Sequence, residues 1–230
     1  ALTENRYIRR YWQGGLELST IMLEHLAHTG DEEWFDRQAY PILRDIVRFY
    51  HDYYDQRDER GRVRFEPSQS LETWWDATNP TPDIAGLRHV IDRLLQLPED
   101  RVPAKDRTWL ASFRDALPAI PVGPAESGEG DRILPAERYD ELKNMENCSL
   151  YAVFPYPQGA LGGPLHAEAK RAWPERRMKG VCGWFQDAVH AAMLGLADEA
   201  GDLLTAAWAH DLATPEQAQR LHTAQHPEIR

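Results

Sequence analysis

The stretch RFEPSQSLETWWDATNPTPD, from Arg64 to Asp83, decides how the rest of the chain is interpreted. It places Glu72 close to two adjacent tryptophans, adds an aspartate and an asparagine, and ends in two prolines that can begin a helix. Such a segment is a poor candidate for buried core, because its backbone polar groups need partners and its carboxylates resist burial. We therefore predict a loop that forms a functional site.

Helical patterns lie on both sides of this loop. Before it, apolar residues recur at helical spacing, with Gly30 placed to end the first helix and Asp31 to cap a short second one. After it, Thr81 can cap a helix and Pro82 can open it, whereas Pro41 predicts a break or a first-turn position. The longer predicted helices cover residues 16–29, 42–54, 81–97, 103–117, 164–173, 183–196, 198–211 and 215–225.

These helices predict the fold class and the domain organisation. Helices of about 11 to 15 residues joined by short connections are typical of antiparallel pairs in an all-α fold. Residues 118–131 are rich in proline and glycine, which predicts a long surface loop. We expect residues 1–230 to form a single domain with long loops and at most short β segments.

Composition excludes several classes of function. The formal net charge of −11, with arginines scattered among acids, argues against a nucleic-acid partner. No apolar run is long enough to predict a membrane span, and the two cysteines lack the spacing of a zinc site. We therefore predict no membrane partner, no metal and no cofactor. The chain begins without Met, so export to the periplasm or the outside is possible if an upstream signal has been removed, but the compartment stays unknown.

The central stretch predicts a carbohydrate site. Glu72 is flanked by Leu71, Trp74 and Trp75, and partial desolvation favours the neutral, proton-carrying form of a carboxyl group. Indole rings can stack on the C–H faces of sugars, while carboxylate and amide groups bind sugar hydroxyls. Successive side chains of an extended segment face opposite ways, so at least one of the two adjacent indoles is expected in the core. The residues predicted to line the site are Trp12, Trp74, Trp75, Asp76 and Asn79.

The segment PSQSLE, from Pro67 to Glu72, resembles the P-S-x-S-P-E motif of the glycoside hydrolase family 95 catalytic domain. The similarity continues along most of the chain, including GWFQDAVHAAMLGLADEA at residues 183–200. This resemblance implies part of an (α/α)6 toroid, the activity of an inverting α-L-fucosidase or α-L-galactosidase, and Glu72 as the general acid. Leu71 stands where the motif has its second proline.

One segment departs from the family pattern. The His-rich stretch HRHxSHLYxLYP of the family is here NMENCSLYAVFP, residues 144–155, which keeps the Leu-Tyr pair and the proline but has no histidine. The resemblance implies that Glu146 and Asn147, in this segment, contact substrate. A structural turn is the alternative role for both residues.

An inverting hydrolase also needs a second carboxylate, about 6.5 to 9.5 Å from the acid, to activate water. The resemblance implies that the family's base, and its asparagine-rich strip, fall outside these 230 residues. We therefore expect a fragment of a longer domain, completed by further chain segments or by self-association. The carboxylates available within the chain are Asp83, Glu137 and Asp187.

Three hypotheses remain open from the sequence: a glycoside hydrolase, a non-catalytic carbohydrate-binding relative, and a helical interaction scaffold. In the last case Glu72 forms an ion pair or caps a turn. Asp83 is also explained by the N-terminal end of a helix, where a negative charge is favourable. His25 and His28 lack a third metal ligand, and His190 on an alanine-rich face is expected to be a hydrogen-bonded core histidine.

Overall fold

The computed structural model describes residues 5–181 and 185–211. The helices are α1 (Gly14–Thr29), α2 (Glu32–Trp34), α3 (Tyr40–Tyr53), α4 (Thr81–Gln96), α5 (Ala104–Ala116), α6 (His166–Ala172), α7 (Asp187–Met193) and α8 (Ala197–Asp211). The strands are β1 (Ser68–Ser70), β2 (Trp74–Pro80), β3 (Val122–Pro124), β4 (Asp131–Ile133) and β5 (Ala136–Arg138). The chain is therefore mainly helical with short strands. The predicted helix at residues 215–225 lies outside the described residues.

Local sequence signals set the ends of the first helices. Gly30 ends α1 in the left-handed conformation, with φ of 66°, and its N–H donates to the Leu26 carbonyl. Asp31 caps α2 by accepting a hydrogen bond from the Trp34 N–H at 3.0 Å. Both predictions are confirmed, because each depends on contacts within one helical turn.

Pro41 does not interrupt the helical segment that runs from α2 into α3. A π-helical turn at Phe35–Ala39 joins α2 to α3, and Pro41 occupies the first turn of α3. Proline has no backbone N–H to donate to the preceding turn, and a wider turn beside it accommodates that missing hydrogen bond. The first-turn prediction is confirmed.

Helix α4 is the central element of the core. It packs against α1, α3, α5 and the 3₁₀ turn Cys148–Ala152, and it buries most of its first turns. Gly86 allows the closest approach, because a Cβ atom there would lie 2.8 Å from Leu16 Cδ1 and from Tyr156 Cζ. The predicted cap is wrong: the Thr81 hydroxyl donates to the Leu134 carbonyl at 2.6 Å instead of capping α4.

The predicted central loop is a β-hairpin. Strands β1 and β2 pair antiparallel, with Ser68 opposite Ala77, and β5 adds to the other edge of β2. Its polar side chains are buried because they find backbone partners: Gln69 Nε2 donates to the Tyr7 and Leu71 carbonyls, and Ser70 Oγ to the Pro135 carbonyl. The expectation that this stretch is unsuited to burial is therefore wrong.

The other predicted loop also contains strands. Within residues 118–131 and just beyond, β3 and β4 pair antiparallel, with Val122 opposite Ile133. In the described part of the chain no helix is long and apolar enough to cross a membrane. The turn between β1 and β2 carries Glu72, the residue that the sequence predicts to be the acid.

Candidate active site

The turn between β1 and β2 consists of Leu71, Glu72 and Thr73. Leu71 adopts a left-handed conformation, with φ of 52°, which reverses the chain within these three residues. Its fully buried side chain packs with Trp74 and Cys148 in a small apolar cluster beneath the turn. Glu72 is left half-buried at the tip, where it borders a cavity.

Residues 144–147 hold this turn from outside the sheet. The side-chain amide of Asn144 donates to Glu72 Oε2 at 2.7 Å. Two residues later, Glu146 Oε2 accepts from the Glu72 backbone N–H at 2.8 Å and from the Thr73 hydroxyl at 2.9 Å. The Glu146 N–H donates back to Thr73 Oγ1 at 3.1 Å. One segment therefore fixes both the backbone and the carboxyl group of Glu72.

The surroundings of the turn are partly desolvated and acidic. Burial raises the pKa of Glu146, and the negative charges of Glu72 and Glu17 act in the same direction. The hydrogen bonds from Thr73 and the Glu72 N–H oppose this rise without cancelling it. Burial and nearby carboxylates also raise the pKa of Tyr11 well above its ordinary value. These surroundings therefore disfavour the charged form of Glu146.

The cavity beside Glu72 has a volume of about 250 Å³. Its lining combines polar groups with apolar surface, the residues being Glu72, Asn144, Met145, Glu146, Asn147, Tyr151, Phe185, Gln186 and His190. His190 is only 3% exposed. Burial lowers the pKa of His190 to about 4, so its ring is neutral near neutral pH.

A concave site that combines a half-buried carboxyl with amide, phenol and imidazole groups suits a polyhydroxylated ligand. A comparison of the sequence with protein families supports a carbohydrate ligand, because residues 3–227 match the glycosyl hydrolase family 95 catalytic domain. The chain belongs to this family. No curated protein matches the sequence at a significant level. Membership in family 95 makes the domain a glycoside hydrolase domain with carbohydrate as its substrate class.

The structure brings three of the predicted family 95 site residues together. Glu72, Glu146 and Asn147 all border the cavity. Asn147 uses its side chain on the neighbouring backbone, because its amide donates to the Met178 carbonyl at 2.7 Å and accepts from the Met178 N–H at 3.2 Å. Asn147 therefore shapes the wall of the cavity.

Two other predicted residues border a neighbouring cavity of about 480 Å³. The Trp75 indole donates to the Glu72 carbonyl at 2.9 Å, and the Arg6 guanidinium lies 4.8 Å from the centre of its ring. Asp76 is exposed and binds Arg10 at 2.7 Å. This second cavity is polar and is lined by Arg6, Trp75, Asp76, Asp140, Glu141 and Lys143.

The remaining three predicted residues do not border either of these cavities. Trp74 is the buried member of the tryptophan pair and packs edge-on against Tyr139 at 4.8 Å. Trp12 packs edge-on against Phe49 of α3 at 5.2 Å. Asn79 is buried in β2, where its side chain accepts from the Phe65 N–H and donates to Glu137 Oε2.

None of the three carboxylates considered as a base borders the Glu72 cavity. Asp83 is buried in α4 and accepts a hydrogen bond from the Tyr50 hydroxyl at 2.5 Å. Asp187 is buried in an ion pair with Arg176 at 3.0 Å. Glu137 is exposed on β5. Within residues 5–181 and 185–211, no three His, Cys, Asp or Glu side chains are grouped to hold a metal ion.

Sequence reasoning missed Asn144, Tyr151 and His190 as cavity residues. Asn144 and Tyr151 lie inside the segment NMENCSLYAVFP, so its alignment with the family's His-rich stretch could have indicated both. For His190 the only available sequence signal was its position in a predicted helix close to Gly183 and Trp184. It is buried, as predicted for a core histidine, and it also borders the cavity.

Proposed function

We propose that this domain hydrolyses glycosidic bonds with inversion and that Glu72 is the general acid. The observation that supports the proposal is the hydrogen bond from the Asn144 amide to Glu72 Oε2, made at the edge of the cavity. An amide N–H can only donate, so Oε2 acts as an acceptor here, and in the proposed mechanism Oε1 carries the hydrogen that is transferred.

In this mechanism Glu72 protonates the oxygen of the departing alcohol as the glycosidic bond breaks. The carboxyl group of Glu72 is half-buried at the edge of the cavity. The backbone bond to Glu146 and the side-chain bond to Asn144 hold the group in one place, so little ordering remains when the substrate binds. Asn144 and Glu146 are positioning residues.

The dimensions of the cavity support a substrate with one sugar ring bound next to Glu72. At about 250 Å³ it lies just below the range of roughly 300 to 1,000 Å³ typical of small-molecule sites. We propose an α-L-fucoside or α-L-galactoside on the basis of the family resemblance. Trp75 and Asp76, beside the second cavity, are proposed to contact the leaving group. Trp12, Trp74 and Asn79 support the site from within the core.

The architecture that we propose for residues 1–230 is a single domain forming part of an (α/α)6 toroid. Its general base is expected from a part of the protein that the structure does not describe. Glu146 is a poorer candidate, because its carboxyl group is already bonded to Glu72 and Thr73. A non-catalytic carbohydrate-binding domain is the alternative function, supported by the absence of a second unbonded carboxylate around the cavity among the described residues.

The substitution Glu72→Gln tests the proposal. Glutamine keeps the hydrogen bond to Asn144 but cannot donate a proton as an acid. We expect hydrolysis of aryl glycosides with poor leaving groups to fall by roughly 10² to 10⁴. Glycosyl fluorides should react almost as fast as with the wild type, since fluoride leaves without protonation.

The matched control is Glu33→Gln, which changes an exposed carboxylate on α2 that pairs with Arg37. Its rates should equal those of the wild type for both substrate classes. Equal loss of activity toward both classes in Glu72→Gln would contradict an acid role. If the wild type binds L-fucose or L-galactose by calorimetry but hydrolyses no glycoside, the non-catalytic alternative is correct. Proton NMR of the first-formed product reports the stereochemistry, and retention would contradict inversion.

A further inference from the structure

The Glu72 cavity meets a larger cavity at Gln186, which borders both. The larger cavity has a volume of about 600 Å³ and is lined by residues of α1, α4 and α7 and by the chain that follows the 3₁₀ turn. This cavity is named the α1–α7 groove below. Its apolar lining consists of Ile21, Phe154, Pro155, Pro157 and Met193.

Electrostatics also place the two cavities next to each other. Glu17 borders the groove, and its negative charge contributes to the raised pKa of Glu146, which borders the Glu72 cavity. One carboxylate shifts the pKa of another in this way only when the two are close. A ligand beside Glu72 is therefore within reach of the groove.

Most polar groups of the groove already have partners within the protein. Glu24 pairs with Arg93 at 2.6 Å. Glu17 accepts a hydrogen bond from the Gln13 amide at 3.1 Å, and the Thr20 hydroxyl donates to a carbonyl of its own helix at 3.0 Å. A second sugar ring in the groove would lose hydrogen bonds to water and gain few from the protein. The surface left for a ligand is apolar.

We propose that the α1–α7 groove binds an apolar substituent carried by the sugar ring that occupies the Glu72 cavity. This inference rests on the proposed function and narrows its substrate class to glycosides whose sugar ring carries an uncharged apolar ester or ether. The cavity of about 250 Å³ takes the ring, and the groove takes the substituent. A concave site with mainly apolar walls and few polar groups is the usual form of a small-molecule site.

The leaving group is a poorer occupant of the groove. In the proposed function it contacts Trp75 and Asp76, and neither residue borders the groove. Their cavity is polar, whereas the groove is mainly apolar. The apolar group is therefore assigned to the sugar ring.

Calorimetry tests this inference with methyl α-L-fucoside, methyl α-L-galactoside and their mono-O-benzoyl esters. The protein carries Glu72→Gln to suppress hydrolysis. At least one ester should bind roughly tenfold to a hundredfold more tightly than its parent, because its aromatic ring leaves water. The heat-capacity change of its binding should also be more negative than that of the parent, since more apolar surface is buried.

Two substitutions locate the benzoyl group in the groove. Met193→Gln keeps the length of the side chain and replaces its thioether with an amide. Ile21→Asn changes a side chain that is 65% exposed, so the fold should tolerate it. Each should reduce the gain from the ester by about threefold to tenfold and leave binding of the parent sugar unchanged. The matched control is Ile42→Asn, an exposed isoleucine on α3 that does not border the groove, and it should keep the full gain.

The inference is overturned if no ester binds more tightly than its parent, or if Ile42→Asn reduces the gain as much as Ile21→Asn. Benzyl α-L-fucoside carries the aromatic ring on its leaving group. A gain for this compound alone, lost in Met193→Gln, would assign the groove to the leaving group and overturn the inference. Ile21→Asn that dissociates the protein without changing the gain would assign the groove to a second copy of the chain, with the same consequence. If the wild type neither binds the parent sugars nor hydrolyses any glycoside, the proposed function itself fails.

Discussion

The buried carboxyl groups of this protein have different structural roles. Burial raises the pKa of Glu146, Asp83 and Asp187, but the partners differ. Glu146 accepts a hydrogen bond from the backbone N–H of Glu72. Asp187 forms an ion pair with Arg176, and Asp83 accepts a hydrogen bond from the Tyr50 hydroxyl. Only Glu146 is in the site, so a perturbed pKa alone does not locate function.

Asp83 should make stability depend on pH. Burial raises its pKa to about 7 from an ordinary 3.8, while the Tyr50 hydrogen bond acts in the opposite direction. The folded protein therefore keeps a proton that the unfolded chain releases between these values. The free energy of unfolding should fall as pH rises from about 4 to 7, by at most roughly 4 kcal/mol from this group. Urea unfolding at several pH values measures it.

Two variants isolate this effect. Asp83→Asn, which resembles the neutral acid, should lose this part of the pH dependence and be more stable than the wild type at pH 8. Tyr50→Phe removes the opposing hydrogen bond, so the decline should extend to higher pH. An Asp83→Asn protein with the same decline as the wild type would show that another group is responsible.

At the scale of elements, α4 is the helix on which the others depend. Its first turn follows β2 directly, and its buried face meets α1, α3 and α5. The hairpin that carries Glu72 is therefore joined end to end with the most buried helix. A stable α4 fixes one end of the hairpin, and residues 144–147 fix its turn.

Gly86→Ala should destabilise this packing. The added methyl group would meet Leu16 and the buried ring of Tyr156 at 2.8 Å, which outweighs the better helix propensity of alanine. We expect a loss of about 1 to 2 kcal/mol in urea unfolding. Gly201→Ala on α8 is the control, because no atom lies within 4 Å of its added Cβ. It should raise stability by about 0.5 to 1 kcal/mol. Equal effects of the two substitutions would contradict the close approach.

For the whole molecule, the described chain leaves apolar side chains exposed on several helices, with the largest groups on α1, α3 and α8. They are Leu18 and Ile21 on α1, Ile42, Phe49 and Tyr53 on α3, and Leu204 and Trp208 on α8. Ile21 is 65% exposed and Trp208 is 67% exposed. Surfaces of this kind favour association with a second copy or with further segments of the protein.

We therefore predict that residues 1–230 on their own self-associate. Sedimentation velocity should show a species larger than a monomer that increases with concentration. Ile21→Lys and Trp208→Lys should shift the protein toward monomer, whereas Gln56→Lys, at an exposed position in the connection after α3, should not. A monomer at every concentration would contradict the prediction.

The sequence by itself determined most of the helices, several of their ends and the resemblance to family 95, and it predicted a site at Glu72. Helix signals act within a few residues, as Gly30 and Asp31 show, and the PSQSLE motif is contiguous. Only the tertiary structure decided that the central stretch is a hairpin, that Trp74 is core while Trp75 borders a cavity, and that Asn144 and His190 border the same cavity as Glu72. The physical reason is separation along the sequence. Asn144 lies 72 residues after Glu72, and contacts between residues so far apart in sequence depend on how the helices pack and not on the local sequence pattern.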